Sequence, residues 1–123
     1  MRAASPRARS TSARTWLRIA RASAFLAYPE QQITAALKMS ILTGRVEPTL
    51  MLARLELGLR YLPGLDEEAV LLLRDQVVLT WVLHQRRMLQ GIESGSLDFD
   101  LLRVVLSGGN QDIISAMEAH LVH

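Results

Sequence analysis

Few residues in this chain have both the type and the spacing that chemistry needs. It has three histidines, His84, His120 and His123. His120 and His123 lie three apart with Glu118 nearby, a spacing that could chelate a metal from one helix face. They fall in the last four residues, where helices fray, and no third ligand is evident. His84 sits in an apolar run with no acid three or four residues away, the setting of a core histidine rather than an acid–base group. Asp98 and Asp100 flank Phe99. On one strand face two such carboxylates would suit acid–base work or a metal; at a helix start they simply complement the helix dipole. Glu67 and Glu68 have the same ordinary explanation.

Other chemistries lack their residues. Zero cysteine removes disulfides, thiolate metal sites and cysteine nucleophiles, and fits a reducing compartment. Gly108-Gly109-Asn110 lacks the glycine spacing and the lysine of a phosphate loop. No dinucleotide fingerprint, zinc spacing or Ser/His/Asp set stands out. The expectation is a protein that is not an enzyme, with no catalytic residue, no metal and no cofactor.

The clearer signals are charge and grease. Residues 1–29 hold six arginines and no acid, a charge of +6, whereas residues 30–123 hold eight basic and twelve acidic residues, a charge of −4. A basic segment on an acidic body suits an anionic contact such as nucleic acid or a lipid surface. On a helix over 13–27, Arg14, Arg18 and Arg21 form one stripe, with Trp16, Ile19, Ala20 and Ala27 opposite and Phe25 on the arginine side. Each arginine near an anionic surface adds on the order of 1 kcal/mol. Without a recognition-helix motif, sequence-specific nucleic-acid reading is unsupported.

Positioning these residues requires helices. Pro29 should end the first near Ala27 or Tyr28. Glu30–Leu42 places Ile33, Ala36, Leu37 and Ile41 at core spacing, with Gly44 as the stop. Glu47-Pro48 looks like the start of a helix to Leu62, carrying Leu52, Leu55, Leu59 and Leu62 on one side. Residues 54–61 also alternate as a strand would, as do 97–101; the scarcity of β-branched residues in the first favours helix. After Pro63-Gly64, acids 66–68 open a long helix expected to reach Gln90, with Arg86 and Arg87 in its last turns. Leu97–Leu106 reads as a short helix opened by Ser96 or Asp98, and Asp112 as the cap of a last helix.

The fold class read from this pattern is all-α: a small bundle of four to five helices with a flexible basic N-terminal arm. The arm spans residues 1–28 and the helical domain 29–123. At 123 residues with half of them apolar, the chain is one domain with a real core. Between Gln76 and Gln85 the long helix is apolar nearly all round, and a helix without a wet face needs cover from several sides. Val77, Val78, Trp81 and Met88 are therefore the expected partner face. The expected role is a non-enzymatic interaction module acting through apolar helix faces, a small adaptor, chaperone-like or assembly protein, with a protein partner or self-association as a homo-oligomer. The alternative is a nucleic-acid-associated regulator contacting phosphate through Arg14, Arg18 and Arg21. No small-molecule substrate is evident. The longest uncharged stretch of the body is ten residues, against about 20 for a spanning helix, so a cytoplasmic location is expected. The Arg-, Ser- and Ala-rich start also has a mitochondrial transit composition, and a later start at Met39 would exclude it from the mature protein.

Overall fold

The computed structural model describes residues 12–121. Its α-helices are α1 (Ala13–Phe25), α2 (Glu30–Thr43), α3 (Met51–Arg60), α4 (Glu67–Leu83), α5 (Gln85–Ser94), α6 (Phe99–Leu106) and α7 (Gln111–Leu121), with a 3-10 turn at Leu62–Gly64. Among the described residues there is no strand, so the alternating stretches at 54–61 and 97–101 lie on or beside helices. Seven helices exceed the four to five expected for the bundle. The flexible basic arm expected over 1–28 is a packed helix from Ala13 to Phe25; its residues 1–11 lie outside the described residues.

Local chemistry explains most boundaries. Ser12 caps α1 by accepting from the Thr15 amide at 3.1 Å, satisfying one of the free N–H groups of a helix start. At its far end Ala27 takes a left-handed φ of 58°, and the Tyr28 amide donates back to the Ser23 carbonyl at 2.9 Å. That tight reversal sets α2 antiparallel to α1. Leu17, Ala20 and Ala24 of α1 bury against Ile33, Ala36, Leu37 and Ile41 of α2 in one apolar cluster. The boundary read at residue 28 thus separates two helices that share a core. Asp66 caps α4 through the Ala69 amide at 2.8 Å, and Asp98 caps α6 through the Leu101 amide at 3.2 Å. Two starts differ from expectation. α3 begins at Met51 after a turn over 48–50, and α7 begins at Gln111, leaving Asp112 inside its first turn.

The long helix expected over 66–90 is two helices. It breaks at His84, whose φ and ψ are −139° and 47°. Thr80 Oγ1 donates to the Gln76 carbonyl at 2.6 Å, a back-bond that bends helices. Packing supplies the stronger reason. At about 1.5 Å per residue, a straight helix would carry Met88 roughly 10 Å beyond Trp81. The bend instead returns Met88 to full burial beside Trp81, Val77 and Leu97. Arg86 and Arg87 therefore stand, exposed, in the first turn of α5 rather than in a last turn. α5 closes on Gly95 at φ 90°, and the Leu97 amide donates to the Gly91 carbonyl at 3.0 Å.

Two apolar clusters meet at α3, which gives Leu57 to the α1–α2 cluster and Leu55 and Leu59 to the cluster of α4, α6 and α7. Gly58 lets α3 and α4 approach closely: a Cβ there would lie 2.6 Å from Leu73 Cδ1. From the same helix the side chain of Arg54 enters the interior at 0% exposure. Its Nε donates to Ser40 Oγ at 3.1 Å, Nη2 to the Ser40 carbonyl at 2.6 Å and Nη1 to Gln76 Oε1 at 2.9 Å. Ser40 Oγ donates in turn to the Ala13 carbonyl at 2.8 Å, and Gln76 Nε2 donates to the Arg45 carbonyl at 2.8 Å. One guanidinium thereby joins four helices and the loop between α2 and α3. Arg54→Ala should lower unfolding stability by on the order of 3 kcal/mol, since it opens a cavity and strands several buried acceptors. Urea denaturation measures this; a loss within a few tenths of a kcal/mol would contradict the assignment.

Candidate functional site

The residues expected to form a partner face are mostly consumed by the chain itself. Val77, Trp81 and Met88 are buried in the cluster that α3, α4, α6 and α7 build. Only Val78 remains partly exposed, packed on the rim of that cluster. The physical reason is that one side of the apolar stretch finds its cover within the chain, in the cluster that holds Leu102, Leu106 and Met117, while Val82 and Leu83 stay exposed. Trp81 also receives the His120 ring edge-on, with centroids 6.1 Å apart.

Arg14, Arg18 and Arg21 stand exposed along α1, and none is ion-paired among the described residues. Arg14 donates to Thr49 Oγ1 at 3.1 Å. Phe25 continues the stripe at 89% exposure, followed by exposed Leu26 and Tyr28. Between α1 and α3 runs an open groove of about 660 Å³ lined by Arg21, Phe25, Glu56 and Arg60. A second groove of about 450 Å³ between α6 and α7 is lined by Asp100, Arg103, Val104 and Glu118.

The histidines and acids form no cluster of three metal-ligating groups among the described residues. Asp98 is spent as a cap and Asp100 lies 3.9 Å from Arg103. His84 Nε2 is buried without a hydrogen-bond partner. His123 lies outside the described residues.

A different surface combines charge with grease: the exposed side of α2 and α4. Lys38 on α2 bonds Asp66 Oδ2 at 3.1 Å and Glu68 Oε1 at 2.6 Å on and beside α4. Seven residues on, Arg45 makes a two-pronged contact with Asp75, Nε to Oδ2 at 2.8 Å and Nη2 to Oδ1 at 2.9 Å. Arg45 stands just past the end of α2 at Thr43, and from Lys38 to Arg45 the partners advance from Glu68 to Asp75, so α2 and α4 run parallel. At about 100° per residue, Leu42 falls beside Lys38 on α2, and Leu71 beside Glu68 and Asp75 on α4. The ion pairs therefore bridge the groove between the helices and the leucines occupy its two shoulders. Leu42 is 56% exposed and Leu71 54%. Met39 and Val46 extend the α2 shoulder, and Val82 the α4 shoulder beyond Val78.

The charges on this face hold each other. The bonds that Lys38 donates to Glu68, then to Asp66, raise its pKa above its ordinary value. The bond from the Ala69 amide, then that from Lys38, holds Asp66 below its own. The sequence held one usable signal for this face: Lys38 and Leu42 share one side of α2, as Leu71 and Asp75 share one side of α4. Nothing in it says that the two sides are neighbours.

The comparisons with known proteins return no match to a family model, to a curated protein or to a solved structure. Among the described residues no helix is long and apolar enough to cross a membrane.

A depressed carboxyl contributes stability that is present above its unfolded pKa and lost as pH falls through the folded one. For Asp66 that window opens at the ordinary value of 3.8 and extends downward. Asp66→Asn keeps a good cap without the titration. Between pH 7 and about pH 3 it should lose less stability than the wild type in urea unfolding; equal losses would contradict the role given to this carboxylate.

Proposed function

We propose that this protein is a non-enzymatic helical interaction module, an adaptor or assembly protein, whose partner-binding surface is the α2–α4 face. One observation carries the reading: two ion pairs between the α2 side and α4, Lys38–Glu68 and Arg45–Asp75, flanked by exposed leucines at 42 and 71. Apolar shoulders beside ordered, oppositely charged side chains give a partner both area to bury and a register to recognise. Val78 remains a member of this surface, on its α4 side. Val77, Trp81 and Met88 support it from beneath.

A second reading keeps the anionic contact. Arg14, Arg18 and Arg21, on one side of α1 with Phe25, present unpaired charge toward a phosphate-bearing partner. On this reading the protein is a nucleic-acid-associated regulator that contacts the backbone without reading sequence.

The two readings separate by experiment. Leu42→Asp with Leu71→Asp should weaken association, read by sedimentation velocity or by titration with an isolated partner, by at least ~10-fold. Val104→Asp, at an exposed position away from this face, should leave it unchanged. Equal effects of both changes would remove the first reading. For the second, binding to a DNA or RNA duplex should fall steeply with salt and disappear when Arg14, Arg18 and Arg21 are all changed to Ala. Salt-insensitive binding, or none, would remove it.

A further inference from the structure

We infer that the occupant of the α2–α4 face is a second copy of this chain, related by a two-fold axis parallel to the two helices. This rests on the reading of that face as a protein-binding surface, and it follows from how the charges are laid out. Both cations of the seam, Lys38 on α2 and Arg45 in the loop just after it, stand on the α2 side, and all three anions, Asp66, Glu68 and Asp75, on α4 or at its cap. The face is thus a positive column beside a negative one, with Leu42 and Leu71 at matching heights on the outer shoulders.

A closed dimer presents the same patch from both subunits, and only two in-plane axes bring this face onto itself with the helices aligned. An axis across the helices lays α2 on α2. Lys38 then meets the other copy's Arg45, and Glu68 its Asp75, like charge on like. An axis along the helices lays α2 on the other copy's α4. Lys38 then meets Glu68, Arg45 meets Asp75, and each pair grows into a square of four alternating charges. The same rotation seats Leu42 of each copy on Leu71 of the other. Electrostatics therefore selects the second arrangement, and the apolar shoulders close on each other outside the charges. Charges brought together in this way lose water but gain one further opposite neighbour each, two in all, which offsets the desolvation that makes isolated buried pairs unfavourable.

The absence of cysteine from the sequence makes the geometry directly testable. Leu42→Cys and Leu71→Cys are made as separate full-length proteins, checked for helical content by circular dichroism, and oxidised alone and as an equimolar mixture. The mixture should give a disulfide-linked dimer at least ~10-fold faster than either protein alone, because only residue 42 of one copy and residue 71 of the other come within disulfide reach. Cross-linking of Leu42→Cys with itself would overturn the axis while leaving the face as an interface between copies. A wild type that sediments as a monomer, with no cross-link in any combination, would overturn the second copy as occupant. In that case a photo-cross-linking residue at Val46, used in the source cells, tests the underlying reading separately. An adduct with a different protein keeps the face as a binding surface and removes the dimer, and no adduct removes both.

Discussion

The arrangement depends on the guanidinium of Arg54. It lies fully inside the bundle, and among the described residues no carboxylate pairs with it. Burial pushes its pKa down, while the field of Glu47 pulls it partly back. Arginine does not give up its proton in a protein, so the charge must be solvated by the fold. The solvent is a set of oxygens from Ser40 and Gln76. A charge left without those acceptors would cost several kcal/mol, so α2, α3 and α4 must converge at this point.

From that convergence the candidate site follows. Ser40 on α2 and Gln76 on α4 receive the same guanidinium from beneath, while at the surface Lys38–Glu68 links the same two helices and Arg45–Asp75 ties the loop after α2 to α4. The interior bonds fix the lateral spacing, and the surface pairs finish the register. Exposed ion pairs contribute little stability by themselves; here their value is order, since they hold four long side chains in set positions between two leucines. The Arg45 carbonyl is also bound from inside by Gln76. One residue therefore serves the buried network with its backbone and the surface with its side chain.

The helical class was legible because it is written locally. Asp66 and Asp98 are acids standing before apolar periodicity and cap their helices, and Gly44 is a stop. The break at His84 was not, because the run Val77–Leu83 has the pattern of an uninterrupted helix, and only the distant core that receives Met88 makes bending favourable. The expectation that the apolar run is covered from several sides holds for one side of the helix, while Val82 and Leu83 stay exposed. What covers that side is α3, α6 and α7 of the same chain, which is why Val77, Trp81 and Met88 face inward. Arg54 left a trace: it sits with Met51, Leu55 and Gly58 at helical core spacing, an arginine in an apolar stripe, which is the mark of a buried charge. The pairing of Lys38 with Glu68 left none, since side chains 30 residues apart in sequence reveal their meeting only once tertiary packing has set the helices side by side.

The state of the Arg54 side chain tests the account most directly. In a nitrogen-15 NMR spectrum its Nε–H should exchange slowly with water and show cross-peaks to Ser40 and the Gln76 amide group, while that of exposed Arg18 exchanges fast. An Arg54 Nε–H that exchanges as fast as that of Arg18, without contacts to Ser40 or Gln76, would mean that the charge is not inside the bundle and that the register of α2 on α4 has another origin.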